Sequence, residues 1–202
     1  RKFAAQGLRL VLCARRADRL SALADELSQI TEVHSVILDV RDREAVFALP
    51  ASLPEAFADV GILVNNAGLA LGLGGADVAS VDDWEAMVDT NIKGVMYLTQ
   101  AMLPGMVARG GGHVVNIGSV AASWPYPGGN VYGGTKAFVQ QFSRNLRADL
   151  LGKSIRVSNI EPGMCETEFS VVRFNGDEER AKQVYSGMQS LTGTDIAEIV
   201  YW

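Results

Sequence analysis

The sequence predicts an α/β fold in which a parallel sheet is covered by helices on both faces. Three observations carry this: five short runs rich in Val, Ile and Leu, longer amphipathic stretches between them, and glycine-bearing turns at their ends. The runs are nearly continuous in apolar residues rather than alternating, as expected of strands buried on both faces.

Taken in order, the strands are expected at Leu8–Cys13, Val33–Asp39, Gly61–Asn65, His113–Gly118 and Ile155–Glu161. Helices are expected at Asp18–Ser28, at Asp42–Ala48, at Asp82–Arg109 in one or two pieces, at Tyr132–Leu151, and in an amphipathic piece after Thr194. Ser80 followed by Asp83 forms a helix-opening capping pair. The stretch from Met164 to about Thr192 has mixed polarity and no strong period, so it reads as an excursion beyond a strand end, of the kind that forms binding loops. Right-handed crossovers then give a Rossmann-type, doubly wound parallel sheet in one domain over residues 1–202, with a substrate loop at about 164–192. The chain opens on what reads as the end of a helix, Arg1–Gly7, and closes at Trp202 within another. A first strand with its glycine-rich turn and the C-terminal end are therefore expected to be missing.

A net charge of -5 with no run of Lys or Arg argues against nucleic acid or an anionic membrane as partner and favours a small-molecule substrate. The apolar runs are far shorter than a membrane helix needs and no signal-peptide pattern is present, so a cytoplasmic protein is expected. Cys13 and Cys165 match no zinc or redox spacing, His34 and His113 are isolated, and no metal site is expected.

The strongest chemical signal is Tyr132-Gly133-Gly134-Thr135-Lys136, because a helix there sets Tyr132 and Lys136 one turn apart on one face. A cation beside a phenol favours phenolate and brings tyrosine closer to acid–base work at neutral pH. Ser119 ends the strand His113–Gly118 at the carboxyl edge of the sheet, where ligands bind in open α/β folds; a turn-forming serine is the alternative. Asn65-Asn66-Ala67-Gly68 ends another strand, where small residues let backbone approach a ligand closely and the amides hold neighbouring strands in place; turn formation alone is the alternative. Asn91 in the following helix either meets solvent or points inward and holds a water.

Ser119, Tyr132 and Lys136, together with Asn65-Asn66-Ala67-Gly68, Asn91 and Pro162-Gly163, resemble the signature set of the short-chain dehydrogenase/reductase family, in order along nearly the whole chain. The resemblance implies that Tyr132 is the acid/base, that Lys136 lowers its pKa and binds the nicotinamide ribose, that Ser119 orients the substrate oxygen, and that Asn91 completes a proton relay. It further implies that Asn66, Ala67 and Gly68 line the adenosine side, that Asp39 and Val40 contact adenine, and that Pro162, Gly163 and Thr167 border the nicotinamide. The family's T-G-x-x-x-G-x-G turn, which would bind pyrophosphate at a helix N-terminus, is not among these residues, so weak cofactor binding is expected of the chain as it stands.

Cys13-Ala14-Arg15-Arg16 places two guanidiniums and no carboxylate where the ribose 2′ position would lie, which favours NADP; a solvated helix start with Asp18 pairing either Arg is the alternative. Asn65–Gly72, Asp82–Asn91, Ser123–Phe138 and Thr167–Phe174 resemble one branch in particular, the bacterial NADP-dependent 3-hydroxy acid dehydrogenases that also oxidise serine and L-allo-threonine. Such substrates carry a carboxylate, for which Arg173 is the expected anion clamp, unless it pairs instead with Asp177, Glu178 or Glu179. Trp124, Pro125 and Tyr126 either wall the pocket or pack in the core. A sulfonate aldehyde such as sulfoacetaldehyde is the alternative substrate, and a catalytically silent cofactor sensor or scaffold the alternative of another class. The family also implies a homo-oligomer, dimer or tetramer; Ala101, Met102, Val139, Phe142 and Leu146 either supply its face or pack on their own sheet.

Overall fold

The computed structural model describes all 202 residues. All five expected strands form, as β1 Leu10–Ala14, β2 Val33–Ile37, β3 Ile62–Asn65, β4 Gly112–Ile117 and β5 Ile155–Ile160, and every pairing among them is parallel. They divide into two pieces, β1–β2 and β3–β4–β5, and β1 and β3 share no hydrogen-bonded ladder. The register sets Leu63 beside Val114 and Val114 beside Val157, with Asn65, Asn116 and Asn159 in a row two residues further on. A parallel sheet thus delivers three asparagines to one level near its carboxyl edge.

The helices follow the expected pattern with informative differences. Helix α1 covers Lys2–Ala5, α2 Ala17–Leu27 and α3 Arg43–Ser52, which runs four residues past the expected end because Pro50 is accommodated inside it. Asp42 caps α3 by accepting from Ala45 N at 3.0 Å. The long stretch after residue 80 is α4 Val81–Val88, a π-helical turn Asp89–Lys93, and α5 Gly94–Ala108, opened by Ser80, whose hydroxyl accepts from Asp83 N. Such π-turns concentrate at functional sites, since the extra residue re-aims a side chain. Helix α6 covers Asn130–Asp149 and begins two residues before Tyr132.

The 164–192 excursion holds more structure than its mixed polarity suggests: a two-residue strand β6 Cys165–Glu166, α7 Glu168–Arg173, α8 Glu178–Gln183, and β7 Leu191–Thr192 pairing parallel with β6. Elements this short leave no readable period. Helix α9, Gly193–Tyr201, opens with a Thr192–Asp195 capping box and meets α1 through the Lys2–Glu198 ion pair and the Phe3–Tyr201 ring contact.

The main core lies between the sheet and α3, α5 and α6, with Val46, Leu98, Met102, Met106, Val114, Leu146 and Val157 among its members. Met102 and Leu146 belong to it and Ala101 and Phe142 pack on it, while Val139 is fully buried, so these residues face their own chain rather than presenting an apolar surface. Gly94 opens α5 against Val40, whose Cγ2 would lie 2.7 Å from any added Cβ. No helix is long and apolar enough to cross a membrane.

Candidate active site

The site forms where β3, β4 and β5 end. Asn65 Nδ2 donates to Asn116 Oδ1 at 2.8 Å and to Thr99 Oγ1 at 3.1 Å, Asn116 Nδ2 donates to Ser143 Oγ at 2.8 Å, and Ser143 Oγ donates to Val139 O at 2.7 Å. This buried ladder ties α5, both strands and α6 together below the site. A buried polar network is stable only when its members find partners, and these do, apart from Asn65 Oδ1. Asn65 thus holds the neighbouring strand β4 in place, as expected of an amide at this strand end, through partners 34 and 51 positions away.

Asn91 sits in the π-turn and is 1% exposed. Its Oδ1 accepts from Leu69 N at 2.9 Å, and its Nδ2 donates to Leu69 O at 2.8 Å and to Thr135 Oγ1 at 3.0 Å. Thr135 Oγ1 in turn donates to Tyr132 O at 2.8 Å. Asn91 therefore points inward, as one of the two expected readings had it, and its amide clasps the loop after β3 to the second turn of α6. No sequence motif marks Thr135, although it lies three residues after Tyr132, where a hydroxyl reaches back to a helix carbonyl.

Tyr132 and Lys136 are both buried, one turn apart on α6 as the spacing required. Lys136 Nζ donates to Ile117 O at 2.8 Å and lies 5.9 Å from the centre of the Tyr132 ring. Burial lowers its pKa to about 8. The phenol differs from expectation: burial raises its pKa above the ordinary tyrosine value, and the hydrogen bond with Ser119 and the Arg173 charge pull the other way without overcoming it. The hydrogen-bond partner of Lys136 is a strand carbonyl, and the charge acting on the phenol from closest by is that of Arg173. Ser119 Oγ also accepts from Ala121 N at 3.1 Å, so this serine forms the turn and at the same time meets Tyr132. Val120 N donates to Pro162 O at 3.1 Å, which brings Pro162-Gly163 beside the same turn.

Arg173, at the end of α7, makes no ion pair with Asp177, Glu178 or Glu179; Asp177 caps α8 by accepting from Arg180 N, and Glu179 pairs with Lys182. Its Nε donates to Gly72 O at 3.0 Å, its Nη2 donates to Tyr126 Oη at 2.9 Å, and its guanidinium lies 5.6 Å from the ring centres of both Tyr126 and Tyr132. Tyr126 belongs to the apolar cluster of Ala70, Met87 and Tyr132, whereas Trp124 is 73% exposed and walls nothing.

Along the rim of this centre, Asn66, Ala67 and Gly68 are exposed after β3, and an added Cβ on Gly68 would lie 3.4 Å from Asn91 Oδ1 and 3.5 Å from Lys136 Nζ. Thr167 caps α7. Asp39 is held below the usual carboxylate range by Arg41, which bonds both its oxygens. Arg15 is exposed at the end of β1 with no ion pair, while Arg16 pairs with Glu168 at 3.1 Å and Arg19 pairs with the same carboxylate. The partner weighed for these arginines, Asp18, is not the one they take.

The model of the short chain dehydrogenase family matches residues 1–178. The chain belongs to the short-chain dehydrogenase family. Within that family it is 56% identical to the NADP-dependent 3-hydroxy acid dehydrogenase of Salmonella typhi, an alignment covering 100% of this chain and 81% of the relative. It is 50% identical to sulfoacetaldehyde reductase 2 of Chromohalobacter salexigens, covering 100% and 81%. Among solved structures, a closed form of serine dehydrogenase complexed with NADP+ superimposes with a TM-score of 0.95 at 53% identity, covering 100% of this chain and 81% of that one. A short-chain dehydrogenase of this kind is an oxidoreductase acting on hydroxyl-bearing carbons, and no feature of the chain favours a silent sensor or scaffold.

Proposed function

We propose that the protein is an NADP-dependent dehydrogenase of small 3-hydroxy acids of the serine, L-allo-threonine, 3-hydroxyisobutyrate or 3-hydroxypropionate type. The observation that carries the substrate class is Arg173: a guanidinium with no carboxylate partner, 5.6 Å from the ring of Tyr132, where an acid's carboxylate would lie when its alcohol meets the phenol. The relatives named for 3-hydroxy acid and serine oxidation support it.

The residues present suit a nicotinamide dinucleotide. Gly68 leaves open the space beside the Lys136 ammonium, which spends one of its three donors on Ile117 O, and Arg15 offers an unpaired guanidinium where a 2′-phosphate would fall. Lys136 would hold the nicotinamide ribose, Pro162, Gly163 and Thr167 would border the ring, Asn66, Ala67 and Gly68 would line the adenosine side, Asp39 and Val40 would flank adenine, and Arg15 and Arg16 would take the phosphate. When bound, such a cofactor supplies or accepts the hydride at the hydroxyl-bearing carbon.

The chain's own residues manage the oxygen and its proton. Ser119 orients the substrate oxygen beside Tyr132 Oη. With its pKa above the ordinary value, Tyr132 is a protonated donor at neutral pH, suited to protonating a carbonyl oxygen as it is reduced. In the oxidative direction Tyr132 must first lose that proton, a step that added positive charge near Lys136 favours. Asn91 and Thr135 act as positioning residues that hold α6 at the correct height. The protein works as a homo-oligomer in this reading.

A sulfonate is also an anion, and the same guanidinium beside Tyr132 would accept one, so reduction of a sulfoacetaldehyde-type substrate is the second reading, supported by the Chromohalobacter relative. The test is NADP+ and NAD+ reduction by the full-length protein with L-serine, L-allo-threonine, 3-hydroxyisobutyrate and 3-hydroxypropionate, beside NADPH oxidation by sulfoacetaldehyde. Turnover of the hydroxy acids with NADP+, abolished by Tyr132→Phe, is expected. Turnover of sulfoacetaldehyde alone would move the assignment to the second reading, and full activity of Tyr132→Phe would overturn the mechanism.

A further inference from the structure

Arg173 is reached by a route that the reaction itself does not explain. The loop Ser123–Gly129 carries Tyr126 back over the start of α6, and two features show that this path is built. Gly128 has a positive φ of 75° and sits so close to Leu73 that an added Cβ would be 2.4 Å from its carbonyl oxygen. Gly129 has an ordinary φ of -76°, yet its added Cβ would meet Tyr126 Cε1 at 2.7 Å and Cζ at 2.9 Å. Gly129 thus leaves room for the edge of the Tyr126 ring, rather than serving backbone conformation.

That ring does two things to Arg173. Its hydroxyl oxygen accepts from Nη2 at 2.9 Å, and its ring centre lies 5.6 Å from the guanidinium, which keeps that end of Arg173 beside the phenol oxygen. With Nε held by Gly72 O and one Nη2 hydrogen held by Tyr126, the remaining hydrogens on Nη1 and Nη2 form the end-on fork that grips a carboxylate through two parallel bonds. Because Tyr126 Oη accepts from a cation, its own O–H is polarised and remains a donor to the same anion.

We infer that Tyr126 is a specificity-determining residue that fixes the Arg173 fork and adds a third donor to it, making a preorganised carboxylate site beside Tyr132. This rests on the hydroxy-acid reading of Arg173 above and names the group that makes it selective. A flexible arginine would meet an acid and a neutral alcohol with little preference, whereas a preset fork binds the acid without having to be ordered.

The test uses the full-length protein with NADP+ and two substrates, 3-hydroxypropionate and its neutral amide, in wild type, Tyr126→Phe, Gly129→Ala, Arg173→Met and Tyr126→Phe/Arg173→Met. Loss of a hydrogen bond to a charged group corresponds to about a tenfold change. Tyr126→Phe is expected to raise KM for the acid by about tenfold with kcat nearly unchanged and to leave the amide unaffected. Gly129→Ala keeps the hydroxyl but displaces the ring, and is expected to do the same. In the Arg173→Met background, Tyr126→Phe is expected to add little, since it acts chiefly through that cation. An equal loss on acid and amide, or a full additional tenfold loss in the Arg173→Met background, would overturn the role of Tyr126. If Arg173→Met itself leaves acid and amide unchanged, the parent reading fails instead, and the two failures are distinct.

Discussion

Replacing Lys136 by methionine offers a direct measure of what it costs this fold to keep a cation under its sheet edge. Burial lowers the Lys136 pKa from 10.5 to about 8, so between those values the unfolded chain holds a proton that the folded chain has released. Stability must therefore rise with pH across this window as far as this group is concerned, and below about pH 8 the buried ammonium costs the folded state about 3 kcal/mol. Methionine removes that cost but leaves Ile117 O without its donor, a loss of about 1–3 kcal/mol, so at pH 7 the two effects nearly cancel. At pH 10 most of the burial cost has gone, with about 1 kcal/mol left, and the lost hydrogen bond dominates. The stability difference between wild type and Lys136→Met is expected to move by about 2–3 kcal/mol in favour of wild type from pH 7 to pH 10, read by urea unfolding at unit pH steps. Other titrating groups are common to both proteins and drop out of the difference. A difference that stays flat over this range would refute the buried, charge-strained lysine on which the site is built.

Two further outcomes test the surrounding framework. Asn116→Ala removes the acceptor of Asn65 and the donor to Ser143 in one step and is expected to cost about 2–4 kcal/mol in thermal or urea unfolding; a change under about 0.5 kcal/mol would mean that the ladder below the site stabilises nothing. Glu168→Gln releases Arg16 and Arg19 from their shared carboxylate, so NADP+ is expected to bind about two- to fivefold tighter by intrinsic fluorescence titration, with NAD+ unchanged and the gain shrinking at high salt. Equal tightening of both cofactors would show that Glu168 does not compete for the 2′-phosphate position.

How much of this was legible beforehand follows the range of the forces involved. Strands β1 to β5 and the α6 spacing of Tyr132 and Lys136 are local facts, written in apolar runs and in the helical repeat, and they form where the sequence places them. The charge choice at Arg15 and Arg16, with no carboxylate at the strand end, is equally local. Arg173 was singled out because a carboxylate substrate needs a cation, but whether it would face the site or a neighbouring acid was open: Asp177 to Glu179 are nearer in the sequence, while Gly72 and Tyr126 hold it across 101 and 47 positions.

The sequence by itself determined the parallel α/β plan, the family, and the set of groups able to move a proton and hold an anion, because those depend on composition, period and short spacing. Only the tertiary structure decided where each group aims. It turned Asn91 through a π-turn into a clasp between Leu69 and Thr135, and it put the edge of the Tyr126 ring against Gly129 with its hydroxyl on the Arg173 guanidinium. It also set burial against the phenolate at Tyr132. Burial, which only the assembled fold creates, acts on both titrating groups at once, and the lysine's nearest partner is a strand carbonyl rather than the phenol.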